Sequence, residues 1–207
     1  ALTSDYMWRG VSQTTNGIAF QGSFDLSHET GFYIGAWGSN VQYGADNRNS
    51  LELDFYTGFT NEFKIASQAI TYDIGWLHYD YPLESSASNF NEIYFGLATS
   101  PVENLNTSIY FYADVAVQND MGVGYLDIAT DYTLPSWAWG INTSAHYGAY
   151  FKDDSSETYS DWKLAISKDI SIMNLELAYV DSSSNVIDAD NRNLSGARVV
   201  GTLSASF

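Results

Sequence analysis

A chain of 207 residues with 25 acidic and 8 basic side chains carries a formal net charge of −17, which excludes a nucleic-acid surface because such surfaces need clustered cations. An aromatic content of 16% and persistent alternation exclude a disordered acidic chain. No stretch approaches the ~20 consecutive apolar residues of a spanning helix, no N-terminal signal peptide is visible, and the lack of cysteine suits an oxidising compartment.

Apolar and polar residues alternate with a period of two along almost the whole chain. The alternation predicts twelve strands, at roughly 3–13, 18–28, 32–43, 51–60, 63–81, 90–100, 104–117, 122–134, 137–151, 160–169, 173–182 and 196–207. Most exceed the ~5–6 residues usual in soluble sheets and match the ~9–11 of a tilted membrane strand. In the fourth, Leu51, Leu53, Phe55 and Phe59 oppose Glu52, Asp54 and Tyr56. In the seventh, Leu105, Ile109, Phe111, Ala113 and Val115 oppose Asn106, Ser108, Tyr110, Tyr112 and Asp114. The ninth sets Trp137, Trp139, Ile141, Ala145, Ala149 and Phe151 against Gly140, Asn142, Ser144, His146 and Tyr150. No predicted helix covers these apolar faces, so they are expected to meet lipid. The last strand alternates through Ala197, Val199, Gly201, Leu203 and Ala205 to the terminal Phe207. It is expected to close on the first strand, because an open edge has no hydrogen-bond partners in lipid.

Connections fall into two sets. Tight turns are predicted at 28–31, 60–62, 100–104, 134–137 and 169–173, and longer polar stretches at 45–50, 82–89, 152–160 and 182–195. Two connections on the longer side, 16–17 and 118–121, are short. The expected fold is an all-β transmembrane antiparallel up-and-down β-barrel, one domain over 1–207, with short periplasmic turns and longer extracellular loops. The motif ADNRN, at 45–49 and again at 189–193, is read as recurring Asp/Asn turn chemistry. Tyr6, Trp8, Phe24, Tyr33, Phe59, Phe63, Tyr132, Trp137 and Trp139 lie near strand ends, where an aromatic girdle is expected.

The opening Ser4-Asp5-Tyr6-Met7-Trp8-Arg9-Gly10-Val11-Ser12-Gln13, then Gly31-Phe32-Tyr33 and Trp37-Gly38-Ser39-Asn40-Val41, resembles the TorF-like (Gcw_chp) family of proteobacterial outer-membrane porins. Leu51-Glu52-Leu53-Asp54, Asp73 with Gly75, Tyr79-Asp80-Tyr81-Pro82 and Glu92-Ile93-Tyr94-Phe95-Gly96 continue the resemblance. So do Ser167-Lys168-Asp169, Leu177-Ala178-Tyr179-Val180-Asp181 and Ala197-Arg198-Val199-Val200. It implies an outer-membrane barrel of channel type in a Gram-negative cell.

Inward positions hold Asp5, Asp25, Glu52, Asp54, Asp73, Glu92, Asp114, Asp127, Asp131 and Glu176 against Arg9, Lys163 and Arg198. An acidic lumen concentrates cations and repels anions, which predicts passive diffusion of small cationic or neutral solutes. The same groups equally suit a hydrogen-bonded plug, which gives a structural or surface-interaction barrel. Twelve strands fall between a filled barrel and an open pore, and inward Tyr56, Tyr79, Tyr94, Tyr110, Tyr112, Tyr125 and Tyr150 narrow the interior further. Arg9 and Arg198, on the first and last predicted strands, are expected to bridge the seam or form a constriction with Asp5 and Glu176.

Ser144 and His146 share a face two residues apart, His28 precedes a tight turn, and His78 alternates with lipid-facing residues. No recognised catalytic motif accompanies them, so no catalytic residue, metal or cofactor is assigned, and a non-enzyme is expected. An outer-membrane hydrolase and a soluble β ligand binder stand as lesser alternatives. Loop acids Asp153, Asp154, Glu157, Asp181, Asp188 and Asp190 offer a divalent-cation bridge to lipopolysaccharide phosphates or, as preferred, a solvated surface. Expected partners are outer-membrane lipid and lipopolysaccharide, the barrel-assembly machinery and a small-molecule solute. Nucleic acid is not among them, and a monomer is favoured.

Overall fold

The computed structural model describes residues 1–43, 48–83, 89–115, 124–151 and 158–207. Its strands are β1 (Leu2–Thr3), β2 (Met7–Trp8), β3 (Val11–Ser12), β4 (Ala19–Ser27), β5 (Phe32–Tyr43), β6 (Arg48–Ile65) and β7 (Gln68–Asp80). There follow β8 (Phe90–Val102), β9 (Leu105–Asp114), β10 (Gly124–Thr133), β11 (Asn142–Phe151), β12 (Tyr159–Ile170), β13 (Met173–Ser182) and β14 (Arg198–Ala205). Twelve of these form a closed antiparallel barrel, in the order β1-β14-β13-β12-β11-β10-β9-β8-β7-β6-β5-β4. β2 and β3 stand apart as a separate hairpin.

The alternation does what it predicts along most of the wall. Phe24, Ile34, Ile74, Phe95, Ile128, Ile166 and Leu175 point outward and are exposed, while Glu52, Tyr79, Glu92 and Asp161 point inward and are buried. An exterior of this kind is unfavourable in water and suits hydrocarbon. Ringing one end, Phe59 lies 6.3 Å and Phe63 lies 6.1 Å from Tyr72. At the same end Trp137 and Trp139 are 80% and 77% exposed. These rings fit the expected girdle.

Three boundaries differ most from the sequence reading. The turn expected at 60–62 is strand, and the chain reverses instead at Ala66 and Ser67. Asn61 gave a turn signal, but the outward series Phe59, Phe63, Ile65 runs straight through it. The strand expected from 137 begins at Asn142, because Pro135 starts a 3-10 turn, Ser136–Ala138, and Trp139 follows in the left-handed region. Largest of all, the strand expected at 3–13 pairs with the wall only at Leu2 and Thr3. Those two residues close the barrel, opposite Leu203 and Thr202 on one side and Phe20 and Ala19 on the other. Phe207 lies past the end of β14, fully exposed and outside the paired register, so the closing contacts are made without it.

Candidate functional site: a lumen occupied by the N-terminal hairpin

Beyond Thr3 the chain leaves the wall and folds into the barrel. Ser4 N donates to Gly201 O at 2.9 Å, and the next residues form the β2–β3 hairpin. Its turn residues Arg9 and Gly10 have φ of 47° and 75°, the left-handed pair that tight hairpins require. Gly10 is obligatory for space as well, since a Cβ there would sit 2.5 Å from Asp161 Cβ. The segment is tied down by its own polar groups: Asp5 Oδ1 accepts Ser12 Oγ at 2.6 Å and Thr14 Oγ1 at 3.0 Å. Its apolar side chains supply core that a hollow barrel lacks. Met7 packs against Ala165, Ala178, Val180 and Val200, and Tyr6 and Trp8 against Val41, Tyr79 and Tyr81.

Arg9, at the hairpin tip, makes the strongest attachment. Its Nη1 and Nη2 donate to Glu92 Oε1 and Oε2, both at 2.7 Å, in a bidentate pair buried from solvent. The guanidinium carbon lies 4.4 Å from the ring centroids of Trp8 and Tyr125 and 5.3 Å from that of Tyr112. Tyr79 Oη completes the shell of Glu92, donating to Oε2 at 3.0 Å. Tyr6 Oη adds a second tie, to Glu52 Oε1 at 3.0 Å. At the seam, Arg198 Nη1 reaches Asp5 Oδ2 at 2.8 Å and also bonds Asn16. From the long-loop side, Leu194 O accepts Ser12 N at 2.8 Å.

Two further groupings of a basic side chain with carboxylates cross the wall beside the hairpin. Lys163 Nζ bonds Glu176 Oε1 at 2.7 Å. His146 Nε2 lies 3.0 Å from Asp127 Oδ2 and 3.2 Å from Tyr125 Oη, and its Nδ1 lies 3.6 Å from Asp161 Oδ1. Toward the tight turns the wall is different: carboxylates meet tyrosines. Tyr33 Oη donates to Asp73 Oδ1 at 2.7 Å and bonds Tyr94, Tyr110 Oη donates to Asp73 Oδ2 at 3.3 Å, and Tyr56 bonds Asp25. These rings lie flat on cross-strand glycines, Tyr94 over Gly75 and Tyr110 over Gly96, where a Cβ would collide with them.

The sequence-derived positions therefore divide. Asp25, Glu52, Asp54, Asp73, Glu92, Tyr110, Tyr112, Asp114, Asp127, Asp131, His146, Lys163, Glu176 and Arg198 sit on inward faces of barrel strands. Asp5 and Arg9 do not lie on the wall; they belong to the inserted segment. Arg9 is consequently no seam residue, and its partner is Glu92 rather than Asp5 or Glu176, whereas Arg198 does pair with Asp5. Asp54 Oδ1 is buried without a hydrogen-bond partner among the described residues.

Tyr6, Trp8 and Tyr33 also leave the expected girdle, because all three face the lumen. His146 bonds Asp127 and Tyr125, with Ser144 absent from its described contacts. His78 is outward, stacked on Trp76 at 5.8 Å. His28 Nδ1 caps its turn at Thr30 Oγ1, 2.8 Å away. The signal missed in the sequence was present: Arg9-Gly10 and Asn16-Gly17 are two turn signals flanking Ser12-Gln13-Thr14-Thr15, a polar run without alternation.

In the long-loop region the second ADNRN copy forms a bracket. Arg192 Nε bonds Asp188 Oδ2 at 2.7 Å and its Nη2 bonds Asp190 Oδ2 at 3.0 Å. Residues 45–47 of the first copy, the connection at 118–121 and the loop acids Asp153, Asp154 and Glu157 lie outside the described residues. Among the described residues no three metal-ligating side chains gather.

Among the described residues, two cavities lie in the lumen beside the hairpin. One of about 450 Å³ is bounded by Trp8, Arg9, Tyr112, Tyr125, Asp127, His146 and Asp161, and one of about 270 Å³ by Asp5, Tyr6, Trp37, Glu176 and Thr202. Met7, Lys163 and Val180 line both.

A closed twelve-strand antiparallel barrel, apolar outside and acidic within, has the architecture of outer-membrane β-barrel proteins. The chain belongs to the family described as "Bacterial protein of unknown function (Gcw_chp)", whose model matches residues 1–207. That description carries no porin assignment. No curated protein matches the chain. Among solved structures it is similar to outer membrane phospholipase A from Escherichia coli, with a TM-score of 0.60 and 15% identity over 91% of this chain and 83% of that one. It also matches Pseudomonas aeruginosa OccK5 (OpdH) at a TM-score of 0.49 and 10% identity, over 92% of this chain and 59% of that one. The first likeness corrects the sequence reading. A barrel of this architecture occurs in a phospholipase, so the expectation of a non-enzyme is withdrawn.

Proposed function

We propose that this protein is an outer-membrane channel for small cationic or neutral solutes, narrowed on its long-loop side by its own N-terminal hairpin. The observation that carries the reading is the charge of the wall. Arg9, Lys163 and Arg198 are matched by Glu92, Glu176 and Asp5, and further inward acids, Asp25 and Asp73, have no cation partner among the described residues. A low-dielectric wall focuses that excess and favours cations inside. The porin assignment implied by the TorF-like resemblance, an outer-membrane location and periplasmic tight turns belong to the same proposal. Planar-bilayer recording tests it. Small cation-selective steps are expected, larger in an Arg9→Ala variant, and anion preference or silence from both proteins overturns it.

A second reading, a structural barrel with a sealed lumen, is favoured by the hairpin itself, which fills the long-loop half with packed and hydrogen-bonded groups. Bilayers that stay silent for both proteins, with normal heat-modifiable gel migration, support that reading.

A further inference from the structure

Arg9 is held as a ligand is held. Every other member of its cage (Glu92, Tyr79, Tyr112 and Tyr125) apart from the neighbouring Trp8 is fixed on the barrel wall by β7 to β10, independent of the hairpin. The carboxylate presents both oxygens to one planar cation at 2.7 Å, and the Tyr125 ring covers its face at 4.4 Å. A planar fork against a carboxylate with an aromatic face above is recognition chemistry specific to guanidinium; an ammonium matches neither the bidentate geometry nor the stacking. The cage also opens on the 450 Å³ cavity, which is lined by Asp127 and Asp161 together with His146 and Lys163. Space is thus available for the rest of a guanidinium-bearing molecule.

We infer that the Glu92–Tyr79–Tyr112–Tyr125 cage is a guanidinium-binding site for small guanidinium-bearing solutes, and that Arg9 is its tethered resident. As an account of which solutes engage the lumen it rests on the channel reading above, though occupancy of the cage is measurable without conduction. A tethered group competes at an effective concentration of about millimolar, so a free solute displaces it only at comparable concentrations or with added contacts in the cavity.

The test uses the full chain refolded in detergent, with methylguanidinium as probe and methylammonium at equal ionic strength as comparator. In calorimetric titration the Arg9→Ala variant is expected to bind methylguanidinium at least about tenfold more tightly than the unsubstituted chain does, about 1.4 kcal/mol at 25 °C. Methylammonium is expected to bind it several-fold more weakly, and adding Glu92→Gln to remove the binding. Equal affinity for the two proteins, equal affinity for the two cations, or binding that survives Glu92→Gln overturns the inference. Should Arg9→Ala fail to fold, the unsubstituted chain decides alone. Millimolar methylguanidinium is expected to speed amide exchange at Met7, Trp8, Val11 and Ser12 where methylammonium does not, and no difference between them overturns the inference. Silent bilayers with this competition intact remove the channel and leave the site. Cation-selective conductance without competition removes the site and leaves the channel.

Discussion

The two halves of the lumen are filled by different means. On the tight-turn side, wall residues fill it themselves: tyrosines from neighbouring strands lie on glycines and donate to Asp25 and Asp73, so each contact is set by strand register. On the long-loop side, a separate segment enters and is held by a few strong ties, Arg9–Glu92, Tyr6–Glu52 and Asp5–Arg198. The first half can change only if the sheet changes. The second can change by releasing those few ties while the sheet stays intact, which makes it the natural seat of any opening.

The comparison breaks most visibly at Arg9. Arg9→Ala leaves Glu92 buried and unpaired, at a cost of about 3–5 kcal/mol, to be read from urea unfolding in detergent. Amide exchange should rise across the hairpin and stay unchanged around Tyr33 and Asp73; an equal rise in both halves shows that they are not independent. Arg198→Ala removes the charge-assisted bond to Asp5, worth about 1.5–3 kcal/mol, and its exchange signature should centre on the seam. A clash in the other half gives the mirror-image result. Gly96→Ala must displace the Tyr110 ring and costs about 1–3 kcal/mol, with hairpin protection preserved. The smallest effect lies outside the lumen, in the Asp188–Arg192 bracket. Desolvation raises the Asp188 carboxyl, but the backbone and guanidinium of Arg192, with the Asp190 backbone, together outweigh it and hold the group below its ordinary value. A depressed carboxylate contributes above its unfolded value of about 4 and loses that contribution as pH falls through the folded one. Amide protection at Asp190 and Arg192 should therefore fade on acidification below about pH 4, while the hairpin keeps its own; simultaneous loss would tie the bracket to the plug.

The wall was legible because its two faces differ chemically. Phe95 against Glu92 and Ile128 against Asp127 fix which way each strand faces, and the period survives even at Asn61, where a turn residue misled. The hairpin was illegible for the reciprocal reason. Inside an occupied lumen both the wall and its occupant are polar and aromatic, so Tyr6 and Trp8 look the same whether they ring the membrane or fill the interior. Arg9-Gly10, a turn signal in mid-strand, and the polar run Ser12 to Thr15 after it distinguished the cases. Trp137 and Trp139 alternate as a strand would, but Pro135 starts a turn that pattern alone does not reveal. Tyrosine packing on Gly75 or Gly96 depends on strands that are neighbours only after folding.

The seam at Leu2 and Thr3 has a kinetic consequence. It is the narrowest stave of the barrel, with two paired positions on each side, and it joins segments from opposite ends of the sequence. Contacts so distant along the chain are the slowest to form, so closure is expected to be the last step of assembly. The hairpin follows directly from that stave, and its place is inside. Insertion and closure are then one event, and the barrel seals around an occupant that arrived with its final strand.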